Sequence, residues 1–203
     1  VEKTGFLIRD AVRRQMVSDV PVCTFLSGGV DSSLVSSICA EELKKKNKQL
    51  HTYSFDFAGN AENFKASAFQ PSQDRPFVEQ MVEYLHSDHT FLECSTRRQA
   101  ELLAESVKAH DLPAMADVDS SLLYFCSHVA FRHKVALTGE CADEIFGGYP
   151  WFHKKECFEA HTFPWTMDLE ARKVLLSEDF LEYLNMDEYV KQTYETSLAM
   201  VPR

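Results

Sequence analysis

The sequence predicts an α/β fold: a parallel sheet with helices on both faces, followed by a short helical C-terminal extension. Three observations predict it. Short apolar runs rich in β-formers alternate with segments of helical period. The first and fourth of these runs each lead straight into a glycine-bearing turn. After Tyr149 the strand-like runs stop and only helical periodicity continues. Strand–helix alternation is the pattern of a parallel sheet, and right-handed crossovers place all its strand-to-helix turns at one edge.

The elements follow in order. Residues 6–17 carry Ile8, Ala11, Val12 and Met16 at helical spacing and end before Asp19 and Pro21. Residues 20–26 form a buried strand. After a tight turn, Leu34, Val35, Ile38, Cys39 and Leu43 recur at helical spacing. A second strand spans 50–57, and a helix spans 76–85 with Asp74 as its expected cap and Pro76 in its first turn. A third strand covers 89–94. Helices are expected over 99–109 and 120–131, with Asp117, Asp119 and Ser120 placed to cap or precede the latter. Residues 135–138 are the fourth strand. Two further helices are expected over 169–184 and 186–200. Residues 58–75 lack periodicity, which suits either an idle surface loop or a mobile flap.

Composition narrows the function. The chain has 203 residues, a formal net charge of −10 and no apolar stretch long enough for a membrane span. This acidity argues against binding to a phosphate backbone, so no nucleic-acid partner and no membrane partner is expected. The one dense basic run, from Lys44 to Lys48, reads as the dipole-favoured end of a helix. Six scattered cysteines without Cys-x-x-Cys spacing are the usage of a reducing, cytoplasmic compartment. His86 and His89 straddle a helix end and a strand start, a poor geometry for sharing a metal. His128 and His133 are expected to face solvent.

The turn after the first strand reads Ser27-Gly28-Gly29-Val30-Asp31-Ser32-Ser33. Two glycines permit a sharp turn and close approach of a ligand. Ser32 and Ser33 open a helix whose free amides and dipole favour an anion. Hydroxyls at Ser27, Ser32 and Ser33 add donors. The expected occupant is phosphate or pyrophosphate, and Asp31 beside it makes sense through an intervening Mg²⁺. The Gly-Lys-Ser/Thr ending of a Walker A loop is missing.

The fourth strand ends in Leu137-Thr138-Gly139-Glu140-Cys141-Ala142-Asp143-Glu144-Ile145-Phe146-Gly147-Gly148-Tyr149. Glu140, Asp143 and Glu144 crowd one strand end, which is costly without a cation or proton. The two turns are expected to face each other across a crevice.

With both motifs in view, the chain resembles a known family. The first turn is similar to the PP-loop of the ATP-pyrophosphatase superfamily. Paired with the second, it resembles the synthetase domain of glutamine-hydrolysing asparagine synthetases, with an adenine nucleotide alpha hydrolase-like fold. The resemblance implies a PP-loop core over 1–150 and a helical extension over 151–203, an incomplete part of the synthetase domain. It implies that ATP and aspartate form β-aspartyl-AMP and pyrophosphate, and that ammonia then gives asparagine and AMP. Ser27, Gly28, Gly29, Asp31, Ser32 and Ser33 would hold pyrophosphate; Leu26 and Phe55 would line the adenosine site through their backbones. Thr138 and Gly139 would also contact nucleotide. Glu140 would act at the adenylate as base in the ammonia step. Asp31 and Asp143 would share Mg²⁺. The partners implied are a glutaminase domain of the same parent chain as ammonia source and, allowed but not required, a second copy in a homodimer.

The sequence departs from the family pattern at Thr138, usually Ser, and at Cys141, usually Gly. A glycine there suggests positive φ or close ligand approach, both unfavourable for Cys. The Val1 start and Arg203 end suggest a fragment that binds nucleotide and turns over weakly. The competing functions are another PP-loop adenylating enzyme, such as a β-lactam synthetase, an argininosuccinate synthetase or a tRNA thiolase, and a non-catalytic nucleotide-binding module.

Overall fold

The computed structural model describes residues 1–67 and 70–202, with the side chains of residues 116 and 117 outside the described set. Strands β1 (Val22–Phe25), β2 (His51–Phe57), β3 (Asp88–Cys94) and β4 (Val135–Leu137) form one parallel sheet in the order β3-β2-β1-β4. Around it run α1 (Glu2–Gln15), α2 (Val30–Lys44), α3 (Asn60–Asn63), α4 (Arg75–Leu85), α5 (Thr96–Glu101), α6 (Leu103–His110) and α7 (Ala116–Val129). This is the expected α/β class.

Alternation along the strands builds two cores, one on each face. On one, Thr24 Oγ1 lies 2.8 Å from Ser36 Oγ of α2, and Ile38, Cys39 and Leu50 pack with Val12 of α1. On the other, Cys23 and Tyr53 pack with Val129 of α7, supported by Phe25, Phe55 and Leu92. Burial pushes the Cys23 thiol up to about 11 and the Cys39 thiol up to about 12. Both behave as small apolar groups, and all six cysteines are free.

The sheet's topology positions the site. β1 pairs with β2 on one side, with Cys23 opposite His51, and with β4 on the other, with Cys23 opposite Ala136. The chain leaves β1 in one direction and reaches β4 in the other. The turns following β1 and β4 therefore flank the switch point, where open parallel sheets form a crevice.

The opposite edge of the sheet is closed by a polar network. His51, the first residue of β2, bonds Asp88 Oδ2 at 2.8 Å and Thr90 Oγ1 at 3.0 Å. The bond from His51, seconded by Arg132 at 3.2 Å, holds the Asp88 carboxyl below its ordinary range. His89 bonds Thr52 at 2.7 Å and Ser54 at 3.1 Å. Desolvation, with His51 nearby, pushes His89 down to about 4. His133 corrects the expectation of a solvent-facing histidine. It is 8% exposed and bonds Tyr53 Oη at 2.9 Å, and burial lowers its pKa.

Other expectations need correction. The helix expected over 99–109 is two helices, α5 and α6, meeting at Leu102. α7 begins at Ala116 with Met115 at its N-cap, so Asp117, Asp119 and Ser120 lie inside the helix and do not precede it. Asp117's side chain is outside the described residues. Asp74 occupies the N-cap position of α4 but makes no capping hydrogen bond. Its backbone is already helical, φ −76° and ψ −34°, whereas a cap needs an extended residue. The 58–75 segment contains α3; residues 68 and 69 within it lie outside the described set.

The chain divides into two compact units, Val1–Ala142 and Asp143–Arg203. The second comprises most of α8 (Ala142–Phe146), then α9 (Lys155–Glu159), α10 (Glu170–Lys173), α11 (Glu178–Leu184) and α12 (Met186–Ala199), with 3₁₀ turns between. The single helix expected over 169–184 is thus broken between Lys173 and Glu178. Lys173 bridges Asp187 at 2.8 Å and Glu170 at 2.8 Å. Rings of Phe163 and Trp165 stack at 5.1 Å, with Tyr194 edge-on to Phe163. Among the described residues of this unit none is fully buried. No helix among the described residues is long and apolar enough to cross a membrane.

Candidate active site

The crevice is built from two turns. Leu26, 1% exposed, donates its amide to Tyr53 O at 2.8 Å and carries the β1 pairing one residue further. Ser27 then starts the turn. Its amide and hydroxyl both reach Ser32 Oγ, at 3.1 and 2.9 Å, and Ser32 Oγ also donates to Gly29 O at 3.2 Å. The Ser32 hydroxyl is therefore an internal brace of the turn.

The two glycines of this turn serve different purposes. Gly28 has φ +80°, and a Cβ there would meet Phe77 Cβ at 2.7 Å and Val78 N at 2.9 Å. What crowds Gly28 is the first turn of α4, so the close approach it permits is to protein. Gly29 caps α2 with extended dihedrals, and the nearest atom to a Cβ there is Ser27 Oγ at 3.4 Å. Gly29 thus leaves open space at the helix start.

The second turn abuts the first. A Cβ on Gly139 would lie 2.8 Å from Ser32 N and 2.9 Å from both Asp31 C and Asp31 Cβ. Only a glycine lets the end of β4 press against the first turn of α2. Thr138 Oγ1 accepts from Glu140 N at 3.4 Å, and the Glu140 side chain is exposed. Cys141 has φ +67° and its side chain is exposed. The left-handed conformation that a glycine would suit is kept, and Cys141 bears its strain.

The first unit therefore brings together Leu26, Ser27, Gly28, Gly29, Asp31, Ser32, Ser33, Thr138, Gly139 and Glu140 at one rim. Phe55 stands at the C-terminal end of β2, the strand next to β1. Asp143 opens the second unit. Its carbonyl accepts from Gly147 and Gly148, and its carboxylate fills the space a Cβ on Gly148 would need.

Two observations test whether this rim suits an anionic ligand and magnesium. Ser33 Oγ is buried and has no hydrogen-bond partner among the described residues. Buried hydroxyls are normally satisfied, so this one has donor and acceptor capacity to offer. The first-turn amides of α2 likewise lack intrahelical acceptors, and the 15-residue helix adds its dipole. Among the described residues no group of three or more His, Cys, Asp or Glu could hold a metal alone. Were Mg²⁺ to bind with substrate phosphates, Asp31 in the first turn of α2 would be the carboxylate placed to contribute.

Sequence reasoning missed the supporting parts. The first turn of α4 behind Gly28, and the rings of Phe25 and Phe125 around Phe55, carry no local signal, because each contact is made only on folding.

Fold and site together define an α/β protein with an anion-ready cradle at the switch point of a parallel sheet. Comparison with known proteins makes this specific. The sequence profile of the family described as asparagine synthase matches residues 5–203. The chain is 50% identical over 197 residues to asparagine synthetase (glutamine-hydrolyzing) 3 of Bacillus subtilis strain 168, covering 97% of this chain and 32% of that protein. It is 28% identical over 201 residues to asparagine synthetase (glutamine-hydrolyzing) 1 of Arabidopsis thaliana, covering 85% and 32% respectively. The chain belongs to the asparagine synthase family, and spans about a third of the length of these relatives.

Proposed function

We propose that this chain is the ATP-binding, adenylate-forming core of a glutamine-hydrolysing asparagine synthetase. The observation that carries the reading is the cradle: a Gly139 seam against α2, beside the unpartnered Ser33 hydroxyl. Family membership supplies the substrate class.

The β-carboxylate of aspartate attacks the α-phosphorus of ATP. The bond to the bridging oxygen breaks, and pyrophosphate leaves as β-aspartyl-AMP forms. Ammonia then adds to the acyl carbon, and AMP leaves with the electron pair of the acyl–oxygen bond. The first step needs positioning and charge compensation more than covalent help. The Ser27–Ser33 turn and the amides of α2 supply both for the departing pyrophosphate. Asp31, in the first turn of α2, would hold Mg²⁺, which would supply neutralisation of phosphate charge. Leu26 and Phe55 hold the adenosine half through backbone groups, and Thr138 and Gly139 also contact the nucleotide. Glu140 accepts a proton from the attacking nitrogen.

The division that goes with this reading is a nucleotide-binding core over 1–150 and a helical extension over 151–203. Ammonia comes from a glutaminase domain of the parent chain, and the location is the cytoplasm, where six free thiols remain reduced. The deciding experiment is pyrophosphate–ATP isotope exchange with Mg²⁺, by this chain and by its full-length parent. Exchange that depends on aspartate, weak in the chain and strong in the parent, is expected. Exchange supported by a different carboxylate and not by aspartate points to another adenylating ligase and overturns the proposal.

A further inference from the structure

The end of β2 is fixed by aromatic rings. Phe55 stacks on Phe125 of α7, with centroids 4.5 Å apart and planes 12° from parallel. Phe25 of β1 meets Phe55 edge to face at 4.8 Å and 72°. Phe57 approaches Phe125 edge-on at 6.3 Å. Phe125 itself is 4% exposed and has the Tyr124 ring 5.5 Å away. One ring from α7 thus touches both aromatic residues at the end of β2. Through Phe55 it is linked to the end of β1, which delivers Leu26 to the crevice.

We propose that Phe125 is a positioning residue for the adenosine half of the nucleotide. It fixes the end of β2 against the end of β1, so that the backbone groups at Phe55 and Leu26 keep their relative positions for the base. The proposal rests on the adenylation reading above. The pyrophosphate half is braced differently, by α4 behind Gly28 and by Gly139 against α2. Loss of the Phe125 ring therefore affects one half of the ligand and spares the other.

The test is calorimetric titration of the chain with AMP and, separately, with Mg-pyrophosphate, for the parent sequence, Phe125→Leu and Phe125→Ala. Phe125→Leu keeps apolar volume and removes the stack, so it serves should Phe125→Ala fail to fold. The AMP dissociation constant is expected to rise roughly five- to tenfold, in keeping with the worth of a stacked pair. The Mg-pyrophosphate constant and both stoichiometries are expected to hold. A proportional loss of both ligands, a drop in stoichiometry at unchanged constants, or unchanged AMP binding by folded Phe125→Leu overturns the proposal. A parent chain that binds Mg-pyrophosphate and not AMP also overturns it alone. A parent chain that binds neither overturns the adenylation reading first.

Discussion

Replacing Gly139 by alanine adds one methyl group at the seam between the two turns. The new carbon would stand 2.8 Å from Ser32 N and 2.9 Å from Asp31 C and Asp31 Cβ. Unstrained contacts of this kind need about 3.5–4.0 Å, so the seam must open by roughly 0.7–1 Å. None of the three atoms is the tip of a flexible side chain, so relief comes only from parting the β4 turn and the first turn of α2. Overpacking of this sort costs about 1–3 kcal/mol. Parting the walls of the cradle is expected to weaken Mg-ATP binding by roughly tenfold or more. Urea unfolding and Mg-ATP titration of Gly139→Ala check both effects. Gly5→Ala is the internal control: nothing lies within 4 Å of a Cβ there, and the residue sits inside α1. Alanine at that position is expected to stabilise by about 0.5–1 kcal/mol. If Gly139→Ala unfolds at the parent midpoint while Gly5→Ala shifts as expected, the two turns are not pressed together and the reasoning fails.

Two further perturbations follow from the structure. Cys141 at φ +67° bears a left-handed strain of roughly 1–2 kcal/mol, and glycine's looser unfolded state takes back about 0.5–1. Cys141→Gly is therefore expected to raise stability by up to about 1.5 kcal/mol in urea unfolding, and a clear destabilisation would mean that the thiol makes a contact the strain argument omits. The His89 pKa is lowered from 6.5 to about 4, so the folded form binds fewer protons than the unfolded form across that window. The stability contributed is complete above pH 6.5 and is lost as pH falls toward 4, by up to about 3 kcal/mol. His89→Gln should flatten this acid limb in pH-dependent unfolding, and an unchanged limb would assign the proton uptake elsewhere.

The strands and the two turns were legible because their signals are local. Unbroken burial at Cys23 and Thr24 and from His51 to Ser54, and glycines at the ends of β1 and β4, are written into consecutive residues. The helix break at Leu102 was not legible, since no Gly or Pro marks it and α5 and α6 each pack against α7. His133 read as a surface residue because its partner, Tyr53, lies 80 positions away. Gly28 read as a ligand-facing glycine for the same reason: Phe77 and Val78 reach it only through the fold. The unpartnered Ser33 hydroxyl could be suspected from the motif, but its burial depends on the surrounding structure. At Cys141 the sequence raised the conflict between residue type and backbone, and the structure resolves it in favour of the backbone.

The most direct measurement is a crystal structure of the chain with Mg²⁺ and a non-hydrolysable ATP analogue. The terminal phosphates are expected between the Ser27–Ser33 turn and Gly139, with Ser33 Oγ and first-turn amides of α2 within about 3 Å of phosphate oxygens. Phosphates bound at any other edge of the sheet, with Ser33 Oγ still unpartnered, would contradict the cradle and the chemistry assigned to it.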